Sequence, residues 1–171
     1  MTPYKTILQM KKMLANLDRW IEKAVAHADA KKFDANDLVA ARLAPDMFPF
    51  ARQVQSACDS AKFAAAHLSG NVPPKHPDTE STMPELRERC AKVIVYIESL
   101  RPADFEGADA RKITLSYVPD KYYLGGDYLC EHAVPNFYFH VAMAYAILRH
   151  NGVDVGKRDY LGELPLRDAG T

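Results

Sequence analysis

Apolar residues recur at helical spacing through most of this chain and alternate with polar ones in only one short stretch. Tyr4, Ile7, Leu8, Met10, Leu14, Leu17, Ile21 and Val25 form one stripe at the i, i+3, i+4, i+7 spacing, which predicts a helix from about Pro3 to Ala30. Thr2-Pro3 supplies its N-cap and first turn. Lys11, Lys12, Asp18, Arg19 and Glu22 fall mostly off the stripe, on a solvated face. Residues 31–44 read as a connecting loop that packs in places through Phe33, Leu38, Val39 and Leu43.

A second helix is predicted from Pro45 to the stop at Gly70, its apolar face running from Phe48 through the alanines 57, 61, 64 and 65 to Leu68. Pro73, Pro74 and Pro77 then make the next segment a loop or crossover. Thr82-Met83-Pro84-Glu85 has the form of a capping box, opening a third helix that runs to Leu100. Lys112 to Val118 alternates with period two, and with Tyr122 to Leu124 and a Pro119-Asp120 turn it predicts a two-stranded hairpin. A fourth helix follows from Gly126 to Asn151, with Pro135 either kinking it or marking where its regular part begins. The expected architecture is an all-α four-helix bundle with a small β-hairpin between helices three and four, and an extended tail from Val153.

Composition narrows the function classes. With 171 residues, 48% hydrophobic and 26% charged, residues 1–171 form one expected domain that needs no structural metal or disulfide. The 22 basic and 22 acidic residues leave no net charge, which argues against a nucleic-acid partner. Cys58, Cys90 and Cys130 are scattered, as suits a reducing compartment. No secretory leader pattern and no stretch of about 18 apolar residues is present, so a cytoplasmic protein without membrane association is expected.

Six histidines raise the question of metal. His132 and His140 are separated by about 80° and roughly 12 Å of rise on a straight helix, poor geometry for one shared ion. Asn136 and His140 are the sharper pair, one turn apart on a face with Phe137, Val141 and Ala144. They are either a buried, hydrogen-bonded structural pair or the ligand or base of a pocket between helices. Asp46 and Gln53, near the start of helix two, are candidates to reach that pocket, and Tyr145 is a further lining candidate. Asp46 serves equally as a helix cap. No nucleophile has a base beside it in sequence and no glycine-rich phosphate loop occurs, while acid–base chemistry stays open.

The segments Pro135 to His140, Ala144 to Val153 and Gly156 to Asp159, with Leu43 to Met47, resemble a bacterial and fungal family known only as a domain of unknown function and placed with the DinB/YfiT-like four-helix proteins. The resemblance spans the chain and implies an up-down-down-up bundle. In that clan a divalent metal, often nickel or zinc, is held by one histidine of helix two and an HxxxH pair of helix four. His140, followed by Leu148-Arg149 and Gly152, matches the last of these ligands. Asn136 stands where the preceding histidine would be, and Gln53 is the counterpart on helix two. Amide oxygens bind zinc or nickel far less well than imidazole, so the resemblance implies a degenerate metal site with His140 as its one matching ligand. The leading expectation is a small-molecule binding bundle with its pocket around Asn136 and His140. The alternatives are a metal-dependent hydrolase or transferase acting on a small thiol or ester-like substrate, and a non-catalytic interaction protein acting as a homodimer.

Overall fold

The structure, a computed structural model, describes residues 2–169. Four long helices carry it: α1 (Pro3–Lys31), α2 (Phe50–Ser69), α3 (Met83–Glu98) and α5 (Val134–His150). A short helix α4 (Gly125–Asp127) and a π-helical turn (Tyr128–Ala133) lead into α5, and α6 (Lys157–Leu161) follows it. Cross-helix pairs give the directions. Lys11–Glu98 and Asp18–Arg87 set α1 antiparallel to α3, and Gln53–His140 and Ser60–Asn136 set α2 antiparallel to α5. Asp59 meets Arg89 while the Ser69 hydroxyl sits beside the Tyr96 phenol, so α2 and α3 run parallel. The order is up-down-down-up, with a core that includes Leu14, Leu17, Ile21, Val54, Ala61, Leu86, Val93, Phe137 and Val141.

Local chemistry explains most boundaries. Thr2 caps α1, and Thr82 with Glu85 forms the capping box of α3. The second helix starts five residues later than the periodicity predicts. Ala35–Ala40 is a 3-10 helix, and Pro45 to Met47 form a turn closed by Met47 N–H to the Ala44 carbonyl, so Pro49 becomes the N-cap. The hairpin is also shorter than predicted, with β1 (Lys112–Ile113) pairing antiparallel to β2 (Tyr123–Leu124) in the register Lys112↔Leu124. Burial still alternates through Ile113 and Leu115, but residues 114–122 leave the ladder as the backbone turns on itself, Val118 N–H donating to the Leu115 carbonyl and Lys121 N–H to the Val118 carbonyl. Gly125 follows β2 because any Cβ there would overlap the Ala108 carbonyl.

Pro135 resolves in favour of a boundary. The regular helix begins at Val134, and the π turn widens the backbone just before it. That widening makes room where the proline ring would otherwise crowd the carbonyl four residues earlier. Beyond α5 the tail is partly ordered by burial: Val153 and Val155 are buried, Tyr160 stacks on Trp20 with centroids 5.5 Å apart, and the Trp20 indole donates to the Asp159 carbonyl.

Two parallel helices in sequence need a connection that returns the length of the bundle, and one buried cation holds it. The Arg89 side chain is fully buried and donates to Asp59 of α2 (2.7 Å), to Asp78 (3.2 Å) and Glu80 (2.9 Å) of the connection, and to the Pro77 carbonyl (3.2 Å). Removing it takes a partner from three carboxylates at once, leaving Asp59 to Lys62, Asp78 to Arg52 and Glu80 to the Gln55 amide. Arg89→Met is expected to lower unfolding free energy by about 3 kcal/mol, the low end for buried pairs because the carboxylates keep some water. Urea denaturation of the two proteins measures this, and equal midpoints would refute it.

Candidate functional site

A cleft of about 690 Å³ opens between α2, the π turn with α5, and the loop after β1. From α2 it is lined by Arg52, Asp59, Ser60, Phe63 and His67, from the π turn and α5 by Tyr128, His132, Asn136 and His140, and from the loop by Leu115 and Tyr117. Its volume is in the range of small-molecule sites.

Three polar rungs cross from α2 to the opposing helix. At the first, Gln53 Nε2 donates to the Phe48 carbonyl (3.3 Å), which turns its Oε1 toward His140 Nδ1 at 2.8 Å. The oxygen can only accept, so Nδ1 carries the proton and Nε2 keeps the lone pair of the neutral ring. At the second, the Ser60 hydroxyl donates to the Ser56 carbonyl (2.7 Å) and accepts from Asn136 Nδ2 (2.7 Å). Neither His140 Nε2 nor Asn136 Oδ1 has a protein partner among the described residues. The third rung is aromatic: the His67 ring meets Tyr128 edge-on at 5.7 Å, Tyr128 stacks on His132 at 5.5 Å, and His132 Nε2 lies 2.9 Å from the Tyr117 hydroxyl.

The charged groups at the rim are already matched. Arg52 pairs with Asp78, Lys62 with Asp59 (2.6 Å), and Arg89 with Asp59, Asp78 and Glu80, so three cations face three carboxylates. Burial alone would raise Asp78, yet Arg52 and Arg89 outweigh it and hold that carboxyl below its ordinary value. The imidazoles are held neutral. Burial lowers the pKa of His132, burial and then His132 lower His67, and burial and then the Arg52 charge lower His140. Burial also pushes the Tyr128 phenol well up, so it stays protonated.

Of the residues picked out in the sequence, Gln53, Asn136 and His140 come together at the first two rungs. Asp46 lies in the exposed turn before α2, caps no helix and does not line the cleft. Tyr145 is on the far side of α5, where its hydroxyl donates to the Val155 carbonyl and its ring packs on Trp20 and Tyr160. Sequence reasoning missed Ser60, His67, His132 and the aromatic wall. One signal was present: Gln53, Ser60 and His67 are seven apart, a spacing that drifts only about 20° around a helix. His132 also had one: it stands four residues before Asn136, the same spacing as Asn136 to His140, and the π turn keeps it on the same cleft.

The same residues decide how well a metal fits. No group of three or more His, Cys, Asp or Glu side chains comes together among the described residues. At the level of His140 the other donors are two amides and a hydroxyl, and Nδ1 is committed to Gln53. This donor set does not fit a zinc or nickel centre of the usual three protein ligands.

A family model described as "Domain of unknown function (DUF1993)" matches residues 4–161. The chain belongs to the DUF1993 family. The DUF1993 chain is also similar to a solved structure of a DinB family member protein from Shewanella denitrificans, at 48% identity over 95% of this chain and 92% of that one, with a TM-score of 0.91. Its bundle is therefore DinB-like in fold. No curated protein matches it. No helix among the described residues is long and apolar enough to cross a membrane.

The three cleft imidazoles and His76, lowered by burial and then by Arg89 and Lys62, give this DUF1993 protein a defined pH response. Each takes up its proton at a lower pH when folded than the ordinary value of 6.5, so below that value the unfolded chain binds more protons. Stability is therefore complete above about pH 7 and is lost as pH falls through 6.5 toward the lowered values. Urea midpoints measured between pH 7.5 and 5 are expected to fall, and less steeply in His140→Gln; a flat wild-type profile would contradict the assignment of neutral buried rings.

Proposed function

We propose that this protein is a small-molecule binding bundle whose site is the cleft between α2 and α5. The observation that carries the reading is the pair of unpartnered acceptors, Asn136 Oδ1 and His140 Nε2, one helical turn apart on the wall of the cleft. Neither acceptor is used among the described residues, which leaves both free for a ligand or for water. Here Gln53 and Ser60 orient the two side chains from behind, which is how a binding site holds its recognition groups in place before a ligand arrives. Phe63, Leu115 and Tyr128 supply apolar wall around them.

The donor set gives no support to a metal-dependent hydrolase, and no step of the proposal passes through an ion. The test is a fragment screen by NMR on protein with labelled histidines, followed by Asn136→Leu and His140→Phe. Fragments that shift the His67, His132 and His140 signals are expected to lose at least about ten-fold in affinity in either variant, the cost of one good hydrogen bond. Hits that ignore both substitutions would remove the cleft from consideration. Elemental analysis of the purified protein runs beside it. A stoichiometric nickel or zinc ion, lost in His140→Ala, would favour the metal-dependent reading instead.

A further inference from the structure

The free polar atoms that α5 turns to the cleft are of one kind, and that names a ligand class. On the reading that the cleft binds a small molecule, we infer that the ligand is an uncharged aromatic compound presenting N–H donors from one edge, an aryl carboxamide being its simplest form. Asn136 Oδ1 and His140 Nε2 are both acceptors, because Ser60 takes the Asn136 amide hydrogen and Gln53 takes the His140 ring hydrogen. They stand one helical turn apart, about 6 Å of rise. A ligand either meets them with hydrogens or displaces their water without replacing it, and an acceptor left unpaired in that way is costly.

The position of the ring follows from the same helix. Phe63 is one turn beyond Ser60 on α2, and His67 one turn beyond Phe63, with Tyr128 and His132 opposite. This end offers π faces within about a turn, roughly 5 Å, of the acceptors, which is the length of one aromatic ring.

Charge is excluded by the pairing at the rim. An anion would bring acceptor oxygens against two acceptors, and the one lining cation, Arg52, is held by Asp78. A cation would look to Asp59, but Lys62 and Arg89 already hold that carboxylate at 2.6 and 2.7 Å. With its imidazoles uncharged, the cleft has no spare charge of either sign to replace the water such a ligand would lose.

Benzamide, benzoate and benzamidine share one shape and differ in charge, so they test the inference directly. Titrated into labelled protein at pH 7.5, benzamide is expected to shift the His67, His132 and His140 imidazole signals, with benzoate and benzamidine binding about ten-fold more weakly. Asn136→Asp, at an exposed position, adds an unpaired carboxylate and is expected to reverse the order in favour of benzamidine. Preference of the wild type for benzoate or for benzamidine would overturn the inference while leaving the cleft as a binding site. So would failure of all three rings when other fragments bind. Absence of any fragment from the cleft would end both readings.

Discussion

The buried guanidinium of Arg89 is the interaction on which the rest of this structure depends. Parallel packing of α2 against α3 puts the end of one helix far from the start of the next, and residues 70–82 return across that distance with three prolines and no regular hydrogen bonding of their own. Such a segment stays in place only if something inside the protein holds it. Arg89 does so with a rigid fork of donors that no lysine could match, binding Asp78, Glu80 and the Pro77 carbonyl while also reaching Asp59 on α2. Its Nε is left buried and unpartnered, so the geometry serves the carboxylates at some expense to the cation.

The consequences run directly into the cleft. Asp59 lines it and is neutralised from behind by Arg89 and Lys62, while Asp78, fixed by Arg89, in turn fixes Arg52 at the rim. The charge network is closed before any ligand arrives. What faces the interior is then decided by neutral groups, and by which of their atoms the first two rungs leave free. A network built to hold a loop thereby sets the electrostatic character of the candidate site.

A second constraint acts from the other wall. A proline one residue into α5 is compatible with the helix only because the preceding turn widens, and that widening faces His132 to the same cleft as Asn136 and His140. Where the resemblance to the DinB-like clan implies an imidazole this chain has Asn136, and Ser60 on α2 is placed to orient its amide. Asn136 is thus integrated into the wall rather than left over in it.

The helices, their order and the hairpin's position were legible in the sequence, because apolar periodicity, a capping box and proline placement are local properties of consecutive residues. The resemblance at Pro135 to His140 and beyond carried the bundle's direction as well. Asn136, Gln53 and His140 stood out because a polar side chain on an apolar face needs a partner wherever it is. Their partners could not be read in advance. Ser60 is an unremarkable helix serine until Asn136 is packed against it from another helix, and which imidazole nitrogen stays free depends on an amide 87 residues away. The exclusion of Asp46 and Tyr145 and the inclusion of His67 and His132 were likewise decided by packing. Periodicity gives the face of a helix, whereas only the tertiary structure decides what that face meets, because hydrogen bonds and charge pairs form between atoms in space and not between positions in a chain.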